Sequence, residues 1–225
     1  MKKIILAVSL LASLCSCITL NINGKGIHCK GPVVEKNMEL SGFNAIVVNG
    51  SSDLFFTPSD QFSVLVTANE EVFEHLNYRV EDGVLIIGTK NNVNIRAEKY
   101  EVSVSLPVLE SVTVNGAADV KQMGAYLADK DLKVVVNGAG DLSFTDIKVP
   151  SLVFSANGAS DIKASGLDVQ TLTVSVNGAG DAVLSGKAAS AVFSVNGAGD
   201  IDARNLECDN VSTHKAGVAS IRLKQ

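Results

Sequence analysis

Asn137-Gly138-Ala139-Gly140-Asp141-Leu142 decides the fold, because the chain writes it again and again. The same pattern stands at Asn115-Gly116-Ala117-Ala118-Asp119-Val120, Asn157-Gly158-Ala159-Ser160-Asp161-Ile162, Asn177-Gly178-Ala179-Gly180-Asp181-Ala182 and Asn196-Gly197-Ala198-Gly199-Asp200-Ile201. The asparagines at 115, 137, 157, 177 and 196 lie 22, 20, 20 and 19 residues apart. Such a period marks a stacked-repeat architecture. A degenerate copy, Ala216-Gly217-Val218-Ala219-Ser220-Ile221, closes the series, and an early one, Asn49-Gly50-Ser51-Ser52-Asp53-Leu54, stands apart upstream.

Outward from each motif, apolar residues alternate: Leu172, Val174 and Val176 before it, Leu142 and Phe144 or Ile162 and Ala164 after it. Period-two alternation predicts half-buried strands. The motif between them is then a turn whose glycines supply positive φ. A second turn falls opposite, at Thr145-Asp146, Ser165-Gly166, Ser185-Gly186 and Arg204-Asn205, where each second residue tolerates the left-handed region.

Two strands and two turns per period close one flattened coil. Identical coils at constant spacing stack into parallel rungs more simply than into separately registered hairpins. The expected fold is all-β: a single-stranded right-handed parallel β-helix of roughly 20-residue coils. Its inward ladders would be Val114, Val136, Ala156, Val176 and Val195, and Val120, Leu142, Ile162, Ala182 and Ile201. Cys208 falls at the inward position of Val169, which predicts a buried free thiol. Lys215 falls where Val176 does, which implies an open-ended final rung. Upstream, strands are expected at Phe43–Val48, Phe62–Thr67, Val84–Ile87 and Tyr100–Leu106, with a short helix at Glu70–Leu76, acidic at its start.

Lys2 and Lys3 followed by the apolar run Ile4 to Leu14 form a secretory signal, and Leu14-Cys15-Ser16-Cys17 resembles a bacterial lipobox. The reading is a signal peptide over 1–16, lipidation at Cys17, a tether over 17–32 and one head domain over 33–225 with repeat coils from about 111. Cys15 is the weaker lipidation choice, because bulky Leu14 precedes it. Cys29 and Cys208 remain in the mature chain, bridged or free.

With a formal charge of −5 and scattered basic residues, the chain has no stripe for phosphates, so nucleic acid is excluded as a partner. Aromatic residues make up 5% with no Trp, which suits stacked strands better than an aromatic-lined pocket.

Together the lipobox, Phe43-Asn44-Ala45-Ile46-Val47-Val48, Asp82-Gly83-Val84-Leu85-Ile86-Ile87, Leu106-Pro107-Val108-Leu109-Glu110-Ser111-Val112 and the Gly-x-Gly-Asp turns carry a family resemblance. Over about 35–222 the chain resembles the putative auto-transporter adhesin, head GIN domain family (domain of unknown function 2807), common in gut Bacteroidetes. The resemblance implies a β-helix like that of pectate lyases and an adhesin role inferred from shape. The chain departs from the family's frequent Gly-Ser-Gly turns by using Asn-Gly-Ala-Gly.

The polar columns Asn115, Asn137, Asn157, Asn177, Asn196 and Asp119, Asp141, Asp161, Asp181, Asp200 are read as a structural turn ladder. Their Gly-x-Gly-Asp spacing resembles Ca²⁺-binding nonapeptides, but one carboxylate per 20 residues favours hydrogen bonding within the turns. No cofactor or metal is expected. His28, His75 and His214 fall in the tether, the short helix and the last rung, and Arg79, Arg96, Arg204 and Arg222 are dispersed. The expectation is therefore a non-catalytic, adhesin-like binding or scaffold lipoprotein of the cell envelope, at the outer membrane or cell surface. Its partners would be the membrane, a host or cell-surface glycan or protein, and further copies of itself. The outward residues Thr113, Ser155, Thr173, Ser175 and Ser194 are either a contact face for a glycan or protein or ordinary solvated surface, the latter favoured because exposed Ser and Thr need no explanation. The alternative is a polysaccharide-active lyase or hydrolase, which would need a groove where carboxylates, His and Arg converge.

Overall fold

The computed structural model of the chain describes residues 26–224. The signal segment and Cys17 lie outside the described residues. The head is a β-solenoid of about six stacked parallel turns. Strands Ser111–Ala117 and Leu132–Ala139 pair in parallel with equivalent motif residues opposite one another, Asn115 against Asn137 and Gly116 against Gly138. The same register continues through Ile147–Ala159, Ile162–Ala179 and Ala182–Glu207 to Asn210–Leu223. Both inward ladders are buried, with every member at 2% exposure or less. Stacking like residues removes each apolar side chain from water on two sides at once, which is where the fold draws its stability.

The first glycine of each motif does more than turn the chain. Gly138 and Gly158 take φ of 141° and 140°. A Cβ on Gly158 would lie 2.0 Å from the carbonyl oxygen of Gly138 in the rung below. Only glycine permits rungs to approach that closely. At the opposite corner Asp146, Gly166 and Gly186 have positive φ, as their residue types imply. Asn205 does not, so Arg204-Asn205 makes its corner without the left-handed region.

The early copy of the motif does not stand apart. Ala45–Gly50 pairs in parallel with Ser111–Ala117, Asn49 against Asn115, and Leu54 pairs with Val120. Residues 59–110 are inserted between two adjacent rungs, and part of that insertion folds over the N-terminal end. There Ser63–Asn69 runs antiparallel to both Val33–Asn37 and Tyr100–Leu106, and Arg79–Glu81 runs antiparallel to Val84–Ile87. The Asp82-Gly83 hairpin turn has φ of 48° and 77°, the left-handed pair a two-residue hairpin needs. The expected short helix is a 3₁₀ helix, Glu70–His75. Asn69 does not cap it; its amide instead donates to Gly31 O and accepts from the Glu98 and Lys99 amides. Six residues without a cap favour the tighter helix.

Part of the segment expected to be tether belongs to the head. Ile27–Cys29 pairs with Ile95–Ala97, and the Gly31 amide donates to the Glu71 carboxylate at 2.8 and 2.9 Å. Cys29 is buried and free. Cys208 is also free, but only half-buried, because its rung is the last and nothing described covers it. No helix of the described residues is long and apolar enough to cross a membrane.

Candidate functional site

Three kinds of surface emerge from the repeat: two polar columns at the motif turn, the flat sheet faces, and the open end. The asparagine column is continuous. Each side-chain amide donates to Oδ1 of the asparagine one rung below, through Asn196, Asn177, Asn157, Asn137, Asn115 and Asn49, at 2.9 to 3.0 Å. The aspartates bond differently. Oδ1 of each accepts the backbone N–H of the next aspartate up, at 2.8 to 3.4 Å from Asp53 through Asp119, Asp141, Asp161 and Asp181 to Asp200. One oxygen per carboxylate is thereby engaged, which offsets part of the repulsion between carboxylates stacked on rungs about 4.8 Å apart. Burial raises the carboxyl of Asp53, at the base of the column, above its ordinary range, and the neighbouring Asp119 and Glu101 charges add to the rise.

Asn49 and Asp53 extend the column beyond the five rungs read from sequence. Their motif has the right internal spacing; what hid its place was the inserted segment after it. At the other end the Ser220 amide donates to Asp200 Oδ1 at 3.0 Å and Arg222 Nη2 donates to Asp200 Oδ2 at 2.8 Å.

The remaining charged groups are dispersed, and a minority are paired. Arg79 pairs with Glu81 at 2.6 Å, and Arg204 with Asp202 at 2.5 Å, where the guanidinium hydrogen bond holds the Asp202 carboxyl down to about 2. A side column alternates in sign: Lys148 meets Asp168 at 2.7 Å and Lys187 meets Glu207 at 3.4 Å. His28 lies on the strand Ile27–Cys29, His75 in the 3₁₀ helix and His214 on the last rung, so the three are not brought together. Among the described residues no three His, Cys, Asp or Glu side chains group as a metal site.

Sequence reasoning missed one partly buried polar cluster. Tyr78 and Tyr100 bring their hydroxyls to 3.0 Å beside buried Ser52, and burial pushes both phenols up. The hollow beside Tyr100 holds about 20 Å³, room for a single water and no substrate. Larger concavities, of about 600, 270, 330 and 420 Å³, gather where the last rungs end, around Leu206, Cys208, Leu223 and Lys224.

Thr113, Ser155, Ser175 and Ser194 share one column of the sheet face, which runs Thr113, Val135, Ser155, Ser175, Ser194. Thr173 stands in the neighbouring column with Val153 and Val192. All five candidate face residues are half-buried on a flat, regular surface.

The family described as putative auto-transporter adhesin, head GIN domain, matches residues 42–225. The chain belongs to that family. Solved structures share the head GIN architecture. A protein from Parabacteroides distasonis described as a putative adhesin is 22% identical at a TM-score of 0.81, covering 88% of this chain and 84% of its own. Another from the same species, described as a putative lipid binding protein, is 20% identical at 0.79, covering 89% and 100%. A putative adhesin from Bacteroides fragilis is 18% identical at 0.73, covering 88% and 100%. At these identities the likeness establishes the fold. No curated protein matches the chain.

Proposed function

We propose that this head GIN domain is a non-catalytic display module of the cell envelope, anchored through a lipid on Cys17 and binding a surface glycan or protein along its flat sheet faces. The observation that carries the reading is the face itself: Ser155, Ser175 and Ser194 stand on three successive rungs of a flat sheet, with Thr113 in the same column beyond Val135. A periodic row of hydroxyls offers hydrogen bonds at fixed intervals to an extended partner, and paired strands hold it rigid at no cost on binding. The family's description as an adhesin agrees with this role. Support for a non-catalytic role comes from the separation of His28, His75 and His214 and from the aspartate column, where each carboxylate is tied to a backbone amide. The asparagine and aspartate columns serve as structural ladders, and faces outside the contact row remain available for side-by-side association of copies.

Two measurements test it. Labelled fatty acid should enter the chain and be lost in Cys17→Ser but retained in Cys15→Ser; retention in Cys17→Ser refutes the anchor. An array of glycans and matrix proteins should then capture the protein, and Ser155→Arg/Ser175→Arg should reduce capture at least tenfold without altering the melt. No capture across the array, or capture indifferent to those arginines, refutes the face. Conversion of an acidic polysaccharide by the purified protein would establish the enzymatic alternative instead.

A further inference from the structure

The two ends of the solenoid are built differently. Antiparallel strands fold over the N-terminal end, whereas the outer edge of Asn210–Leu223 meets no described strand. The end of a parallel solenoid is a row of unpaired N–H and C=O groups over an unfinished core, a ready template for another rung. Leu223 is 37% exposed there, although Ala203 beneath it is buried, and Val218 is 85% exposed at a corner position that faces outward in every rung. Yet the three positions that hold every lower rung together change in this one. Lys215 stands above Val195, Ala216 above Asn196 and Ser220 above Asp200.

We propose that the rung Asn210–Leu223 is an assembly stop that refuses a second copy of this chain stacked on the end of the solenoid. Lys215 occupies the inward column that is valine or alanine from Val114 to Val195. Among the described residues it makes no ion pair, and it is exposed where the valines and alanine of the column beneath are buried, with no described strand above it. A covering rung would bury its ammonium without a carboxylate. Residues 210–224 carry Lys215, Arg222 and Lys224 and no acidic residue. Arg222 is paired with Asp200 and Lys224 with Glu207, so a copy approaching end to end would bring no carboxylate of this rung to Lys215. Ala216 ends the amide chain, leaving nothing for a further asparagine to bond. Ser220 and Arg222 take both oxygens of Asp200, closing the carboxylate column from above. The last rung thus donates to the aspartate ladder from above, leaves the asparagine ladder unanswered at Asn196, and presents neither an asparagine nor an aspartate upward.

The test is sedimentation velocity on the full chain purified in detergent, over a hundredfold concentration range. The native protein and Lys215→Arg should keep one sedimentation coefficient throughout. Lys215→Val should associate, and Lys215→Val/Ala216→Asn/Ser220→Asp, which rewrites the rung as a copy of the one below, should associate about a hundredfold more tightly than native or better. In a Cys208→Ala background, Val218→Cys should cross-link between copies only when Lys215→Val is present, which separates end contacts from contacts through sheet faces. A triple variant with native circular dichroism and native sedimentation overturns the proposal, as does cross-linking through Val218→Cys in the presence of Lys215. If the triple variant does not fold, Lys215→Val alone decides in the same way.

Discussion

The side-chain amide of Asn115 donates to Oδ1 of Asn49 at 3.0 Å, across 66 residues of chain. This bond joins the rung before the inserted segment to the rung after it, and starts a column in which interior members both give and receive. Asn157 gives to Asn137 and receives from Asn177, whereas Asn196 gives to Asn177 with only Ala216 above. Asn157→Ala should therefore cost about 1 to 2 kcal/mol and Asn196→Ala about half of that. Urea unfolding of the two variants checks the order; equal costs would show that the bonds do not act as a column.

Glycine at the motif is needed for contact between rungs. Gly158→Ala should destabilise the head by at least about 2 kcal/mol, since its Cβ would strike the carbonyl of Gly138 at 2.0 Å and φ there is 140°. Gly88→Ala should be tolerated, because the nearest atom to its Cβ would be Asn49 Cβ at 3.7 Å. Thermal melts of the pair separate close approach from a general preference for glycine.

Tyr126 closes an irregular corner from inside. Its hydroxyl donates to Leu109 O at 2.8 Å and accepts from Leu109 N at 2.9 Å, in a buried setting with its ring edge-on to Phe56 at 5.3 Å. Tyr126→Phe keeps the ring but strands both backbone groups, at a cost of about 2 to 3 kcal/mol in chemical denaturation. A near-neutral substitution would mean that water reaches Leu109.

Asp53 gives a pH signature. Its folded carboxyl titrates above the unfolded one, chiefly from burial, so its contribution to stability is full below the unfolded value near pH 4 and is lost as pH rises through the folded value. Asp53→Asn retains an Oδ1 acceptor for the Asp119 amide while removing the charge. It should stabilise the head by about 0.5 kcal/mol at pH 7 and by nothing at pH 3, after allowance for solvent screening. Melting temperatures at both pH values test this, and stabilisation confined to acid would reverse the sign.

Stacked carboxylates invite the question of Ca²⁺. With one oxygen of each aspartate from Asp53 to Asp181 held by the next aspartate's amide and both oxygens of Asp200 engaged, a chelator should leave the melting temperature unchanged. A fall of several degrees on adding chelator would give the column a metal role.

The sequence by itself determined the solenoid, because its information is local and repeated. Alternation fixes which side chains face inward, the 19- to 22-residue period fixes where the chain returns, and equality of the units fixes parallel register, so Val114 to Val195 and Val120 to Ile201 were readable as ladders. Tertiary structure alone decided what depends on contacts far apart in the chain. It placed Asn49 beneath Asn115 despite the insertion, turned residues 59–110 into further strands and an antiparallel cover, and docked Ile27–Cys29 on Ile95–Ala97. It also left Cys208 half-exposed at an inward position, because burial requires a rung above as well as a place in the pattern. A repeat specifies its neighbours. Where the stack begins and ends is set by what covers its terminal rungs.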